Sequence, residues 1–181
     1  LSAQRITSKN NKIVFCFLDM YNIRSEEDFY QKLSIELLKS VSSKWEDIQS
    51  NIKRFFKQMI PKITYQPDNW QEFSIGLDWN EIKNQPENII NLADKIAADK
   101  KIRIIVCLDE FQNISFFNDP LGFQKKLRAN WQYHQHASYC LYGSKRHMMM
   151  EMFTSQQMPF YQFGDIIFLE KISLEDWTNF V

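Results

Sequence analysis

The chain has 181 residues, 44% hydrophobic and 15% aromatic, with 22 basic and 22 acidic side chains. This length and apolar content suit one domain with a real core and exclude a disordered chain. The balanced charge excludes a dominant nucleic-acid or membrane-surface footprint.

Charge is less even locally. Residues 101–150 hold Lys101, Arg103, Lys125, Lys126, Arg128, Lys145 and Arg146 against Asp109, Glu110 and Asp119. A positive field near a polyphosphate is one reading of that bias, but a solvated helix face explains most of it. The three cysteines, Cys16, Cys107 and Cys140, fall in apolar strand-like runs and read as reduced core thiols of a cytoplasmic protein. There is no apolar run near membrane-spanning length and no export signal. The first residue is Leu1 and not Met, which suggests a processed product or a piece of something longer.

Residues 1–10 read as a helix end and a Ser/Asn-rich turn. Lys12–Leu18 reads as a buried strand ending on Asp19. Ser25 caps a helix whose first turn carries Glu26, Glu27 and Asp28, and Phe29, Leu33, Leu37 and Val41 recur at helical spacing. Residues 46–60 repeat the pattern with Ile48, Ile52, Phe55, Phe56 and Met59, and Pro61 ends it. Residues 62–79 suggest a hairpin or two extended segments around Pro67, Asp68 and Asn69. Residues 80–99 read as one helix with Ile89, Ile90, Leu92, Ala93 and Ile96 buried. A strand over 104–109 follows, then a helix over 120–136, a strand over 137–143, a helix over 144–153 and a short strand over 165–169. Ser173, Leu174, Glu175 and Asp176 start a last helix. Strands alternating with helices imply an α/β fold with a parallel sheet.

The segment IRIIVCLDEFQN, residues 102–113, carries the chemistry. Its apolar run has the length of a strand buried on both faces, and it stops on two adjacent acids, Asp109 and Glu110. Acids where such a strand leaves a sheet need a cation or a reacting group as partner. This is the logic of a Walker B segment, in which the first carboxylate helps hold magnesium and the second orients the attacking water. The companion motif G-x-x-x-x-G-K-S/T is absent from the sequence, whose glycines are Gly76, Gly122, Gly143 and Gly164. Asp19, Asp109-Glu110 and Gly143-Ser144 all stand just past predicted strand ends, where ligands gather in parallel sheets.

These residues resemble the middle of a P-loop ATPase domain of the AAA+/STAND kind, close to the prokaryotic "archaeal ATPase" group. The matching segments are 17–33, 104–114, 127–149 and 159–173, about half the chain, and the most specific are Asp-Glu-Phe-Gln and the Gly-Ser after the next strand. The resemblance implies a three-layer P-loop NTPase-like α/β fold, incomplete here, with 1–181 a single partial core domain. It implies ATP and Mg²⁺ as cofactors, Asp109 as the magnesium-coordinating acid, and Glu110 as the acid that orients water. Ser144 matches the sensor that contacts the γ-phosphate or the attacking water. The phosphate loop and first strand would precede residue 1, and 173–181 would lead toward a lid domain. The missing strand would be central, between 137–143 and 165–169, so the isolated chain is expected to fill the gap with another segment or a second molecule.

Blander readings stand beside several residues. Ser144 also suits an ordinary helix N-cap. Lys145 and Arg146 invite a phosphate-contact or arginine-finger role, but charge at a helix start explains them. Asp19 and Arg24 read as strand-end turn residues. His134, His136 and Cys140 offer zinc-ligand types but straddle a helix end and a strand with no fourth ligand, so metal binding is not expected there. Met148, Met149, Met150 and Met152 read as a helix packing on the sheet, and Trp131, Tyr133 and Tyr139 as core aromatics. Two other functions compete with the ATPase. One is a metal-dependent hydrolase or nuclease using Asp19, Asp109 and Glu110; the other is a non-catalytic interaction module.

Overall fold

The computed structural model of the chain describes residues 12–56, 62–65, 73–76, 79–169 and 177–178. Strand β1, Ile13–Asp19, leads through a short turn into helix α1, Glu26–Ser40, and then α2, Trp45–Phe55. Strands β2, Lys62–Tyr65, and β3, Phe73–Gly76, form an antiparallel pair. Helices α3, Trp79–Asn84, α4, Glu87–Ile90, and α5, Leu92–Lys100, precede strand β4, Arg103–Asp109. A 3₁₀ turn over Phe111–Phe116, helix α6, Pro120–Trp131, strand β5, Ala137–Leu141, and helix α7, Arg146–Thr154, complete the elements.

The expected α/β class is what the chain adopts. The main sheet has the order β1-β4-β5, and both pairings are parallel. One face carries Cys16, Leu18, Ile104, Val106, Leu108 and Ala137, all buried against helices. Helix α1 packs on β1, and α5 packs on β4 and β5. The other face is open where Phe17, Ser138, Cys140 and Tyr142 stand exposed.

Local chemistry explains the element ends. Ser25 caps α1 by accepting from the backbone N–H of Asp28, and three acids in the first turn face the positive end of the helix dipole. Asp119 caps α6 by accepting from Gly122 N–H, with Pro120 in the first turn, where its missing N–H costs nothing. Phe123 then anchors α6 in the core, with its ring 5.1 Å from Phe29 and 5.0 Å from Phe117.

Four expectations need correction. The single helix expected over 80–99 is three pieces: Pro86, which has no N–H to continue the ladder and disfavours a helical Gln85, makes the first break, and the second falls at Asn91. The helix expected to reach residue 136 ends at Trp131. The Asp94 carboxylate accepts from the backbone N–H groups of Gln135, His136 and Ala137, which holds that stretch as a turn. Residues 165–169 form no strand: with no neighbour to pair with among the described residues, an extended segment gains no ladder. Cys140 is exposed and not a core thiol. The helix over 46–60 is seen to Phe55. The expectations for residues 1–10, Pro61, Pro67-Asp68-Asn69 and 173–176 lie outside the described residues.

Candidate functional site at the strand ends

The carboxyl ends of β1, β4 and β5 are stitched together. Asp19 and Asp109 are register partners across the β1–β4 pair. Met20 N–H donates to the Asp109 carbonyl at 3.0 Å, and the buried Asn113 amide donates to the Met20 carbonyl at 3.2 Å. On the other side, Phe111 N–H donates to the Tyr142 carbonyl at 3.0 Å. The three strand exits are therefore tied to one another by hydrogen bonds.

Glu110 sits in the middle of this unit, in a left-handed backbone conformation with φ 52° and ψ 38°. A non-glycine residue there costs roughly 1 kcal/mol or more and persists only where its surroundings impose it. Here Glu110 N–H donates to Asp109 Oδ1 at 2.8 Å, and the Glu110 carbonyl accepts from Asn113 N–H at 2.9 Å. The strain reverses the chain at the end of the strand and presents the Glu110 carboxylate toward β5.

There it meets Ser144. Ser144 Oγ donates to Glu110 Oε2 at 3.0 Å, across 34 residues of sequence. The same oxygen accepts from the side-chain amide of Gln112. These two donors, Ser144 first and then Gln112, with Lys145 nearby, hold the Glu110 carboxyl below the usual carboxylate range. The group is thus held ionised, with both side-chain donors on one oxygen. The Tyr142 hydroxyl is pushed the other way, by burial and then by the Asp109 charge.

Three of the predicted site residues, Asp109, Glu110 and Ser144, are thus gathered at one sheet end. Asp19 joins the same edge, but its Oδ1 accepts from Tyr21 N–H at 2.7 Å, as a turn residue does. Among the described residues no group of three or more His, Cys, Asp or Glu is placed to hold a metal ion. Asp19, Asp109 and Glu110 are therefore not drawn together as one metal-holding cluster. A single carboxylate does fit magnesium in another setting, because Mg²⁺ is commonly held by one or two carboxylates plus substrate phosphates.

The remaining candidates make these contacts. Arg24 contacts its own turn through Asp28. Lys145 lies over the Phe116 ring at 5.3 Å and Arg146 over the Phe168 ring at 4.7 Å. His134 bridges the Tyr139 hydroxyl at 2.8 Å and the Asn91 side-chain oxygen at 2.7 Å, so its ring latches β5 to the start of α5. Trp131 stacks on Tyr139 with centroids 4.0 Å apart, as core aromatics do, whereas Tyr133 is exposed. Met152 is buried, and Met149 packs against the core.

Beside β5 lies a cavity of about 610 Å³, between the strand, α7 and the extended segment 164–169. Ile167 and Leu169 on its far wall are 82% and 95% exposed. The strand expected to fill the sheet between 137–143 and 165–169 would occupy this space, and among the described residues none does.

Sequence reasoning did not anticipate the Asp94 anchor or the packing of Gln112 against Gly143. The first had no motif; the second was signalled only by the glycine that precedes Ser144. No helix among the described residues is long and apolar enough to cross a membrane. No family model matches the sequence, and no curated protein matches it. Among solved structures, the chain is similar to the Walker-type ATPase PABY2304 of Pyrococcus abyssi at 17% identity and a TM-score of 0.45. That similarity covers 88% of this chain and 42% of the other, so this chain spans less than half of the protein it matches.

Proposed function

We propose that this chain is part of the ATP-binding and hydrolysing core of a larger cytoplasmic ATPase of the AAA+/STAND kind, with residues 1–181 a partial core domain. The observation that carries the reading is the Glu110–Ser144 hydrogen bond, which joins an acid at the end of β4 to a hydroxyl at the end of β5, beside Asp109. An ion-pair or capping role for Glu110 would not need a strained backbone or a partner on the next strand.

In this reading Asp109 holds Mg²⁺, which when bound with ATP makes the γ-phosphorus electrophilic and offsets charge on the phosphates. Glu110, kept ionised by its donors, orients the attacking water and takes its proton. Ser144 turns its hydroxyl from Glu110 toward the γ-phosphate or the water. The phosphates themselves need backbone amides and a lysine from a glycine-rich loop, and the sequence holds no such motif. The chain on its own therefore binds Mg-ATP weakly. In this reading a strand bearing such a loop would lie in the cavity beside β5, which has one neighbour in the sheet among the described residues.

Calorimetry with Mg-ATP tests this on the 181-residue chain and on a chain extended upstream in its gene. The extended chain is expected to bind and hydrolyse ATP, and Glu110→Gln in it to keep binding while hydrolysis falls by about 100-fold or more. If neither chain binds, the Asp109-Glu110 pair does other work. Mg²⁺-dependent nucleic-acid cleavage without ATP would then be the first alternative to assay.

A further inference from the structure

Gln112 is fully buried, yet it is polar and only half satisfied. Its amide N–H₂ donates to Glu110 Oε2, while its Oε1 has no hydrogen-bond partner among the described residues. Reversing the amide would set Oε1 against a carboxylate oxygen, two acceptors face to face, so the orientation is dictated by Glu110. An orphaned buried carbonyl is destabilising, and a leucine or methionine of similar size would avoid it. The side chain is therefore not there for packing alone.

The second observation is where Oε1 lies. A Cβ built on Gly143 would sit 1.8 Å from Gln112 Oε1 and 2.9 Å from its amide carbon. Among the described residues no glycine has a positive φ, so Gly143 is not required by backbone conformation. The constraint is space: the Gln112 amide occupies the place of a side chain at position 143, so a larger residue there would have to displace the end of the Gln112 side chain. Gly143 directly precedes Ser144, the other donor to Glu110. One buried amide thus touches both the acid and the backbone that carries the hydroxyl.

We propose that Gln112 is a positioning residue for hydrolysis: from beneath the strand ends it holds the Glu110 carboxylate in place and sets the spacing between Glu110 and Ser144. It does not touch the reacting atoms; it acts through Glu110. This role rests on the ATPase reading, whereas the Gln112–Glu110 contact does not.

Two measurements separate those layers. In the 181-residue chain, NMR of the side-chain amides is expected to show one Gln112 proton shifted downfield and slow to exchange. Glu110→Ala and Gly143→Ala should each return it to the free-amide position. An ordinary Gln112 resonance in the parent chain, or one unmoved in Gly143→Ala, overturns the contact. In the upstream-extended chain, Gln112→Met keeps the volume and removes the donor. It is expected to lower kcat about 100-fold, as a misplaced group does, with KM for ATP unchanged. Gly143→Ala should lower kcat similarly, and the double variant should be no worse than either single one. A parent-like kcat in folded Gln112→Met overturns the positioning role while leaving the ATPase intact. An extended parent chain that does not hydrolyse ATP overturns the functional reading, and the role with it, while the NMR result stands.

Discussion

Glu110 illustrates how much a single residue is asked to do. Its strained backbone ends β4, its N–H is satisfied by Asp109, and its carboxylate is fixed by two side chains from different elements. Asp109 and Glu110 were legible in the sequence because an apolar run of strand length that stops on two acids puts charge at a sheet end, where it needs a partner. The Gln112–Gly143 contact was not legible, because it joins residues from two strand ends whose separation only the sheet sets. The cysteines make a further residue-scale test. Burial drives the Cys16 thiol far up, and burial with the neighbouring Cys140 pushes the Cys107 thiol up to about 11. Cys140 is exposed on the open face. Alkylation of the native chain near neutral pH should therefore label Cys140 first, with Cys16 and Cys107 protected until unfolding. Peptide mass mapping checks this, and early labelling of Cys16 would contradict the sheet orientation.

At the scale of elements, the α6–β5 turn depends on one carboxylate. Burial acts to raise the Asp94 pKa, but hydrogen bonds from His136, Ala137 and Gln135 outweigh it and leave it lowered. A carboxylate with a lowered folded pKa gives its full stabilisation above the unfolded value, and that stabilisation is lost as pH falls through the folded value. His134 adds a step at higher pH. Burial lowers its pKa, so its stabilising contribution is complete above about 6.5 and declines as pH drops below that value. Thermal unfolding against pH should show both losses on acidification. Asp94→Ala should flatten the acid limb and destabilise the chain by about 2 kcal/mol. Phe123→Ala probes α6 from the core side and should cost about 3–5 kcal/mol in denaturant unfolding. An effect under about 1 kcal/mol would mean that α6 is not anchored there.

For the molecule as a whole, the consequential feature is the unfinished edge. Among the described residues β5 has one neighbour, and the next space is a cavity walled by exposed Ile166, Ile167, Phe168 and Leu169. Exposed strand edges and apolar patches of this kind favour association. The 181-residue chain is expected to self-associate with rising concentration in sedimentation velocity, and Ile167→Lys with Leu169→Lys to reduce this. A chain that stays monomeric at all concentrations would show that the edge is protected in solution.

The sequence by itself determined the local grammar: apolar runs of strand length, the Ser25 cap, the acids after β4 and the α/β alternation. These follow from near-neighbour chemistry, in which side-chain period, capping and breakers act within a few residues. The tertiary structure alone decided which strand ends meet, and so that Glu110 answers to Ser144 and Gln112, and that Asp94 governs a turn 41 to 43 residues away. It also decided that residues 165–169 form no strand, although their composition suits one. A strand exists only where another backbone lies beside it to take its hydrogen bonds, and that neighbour is supplied by the fold and not by the segment.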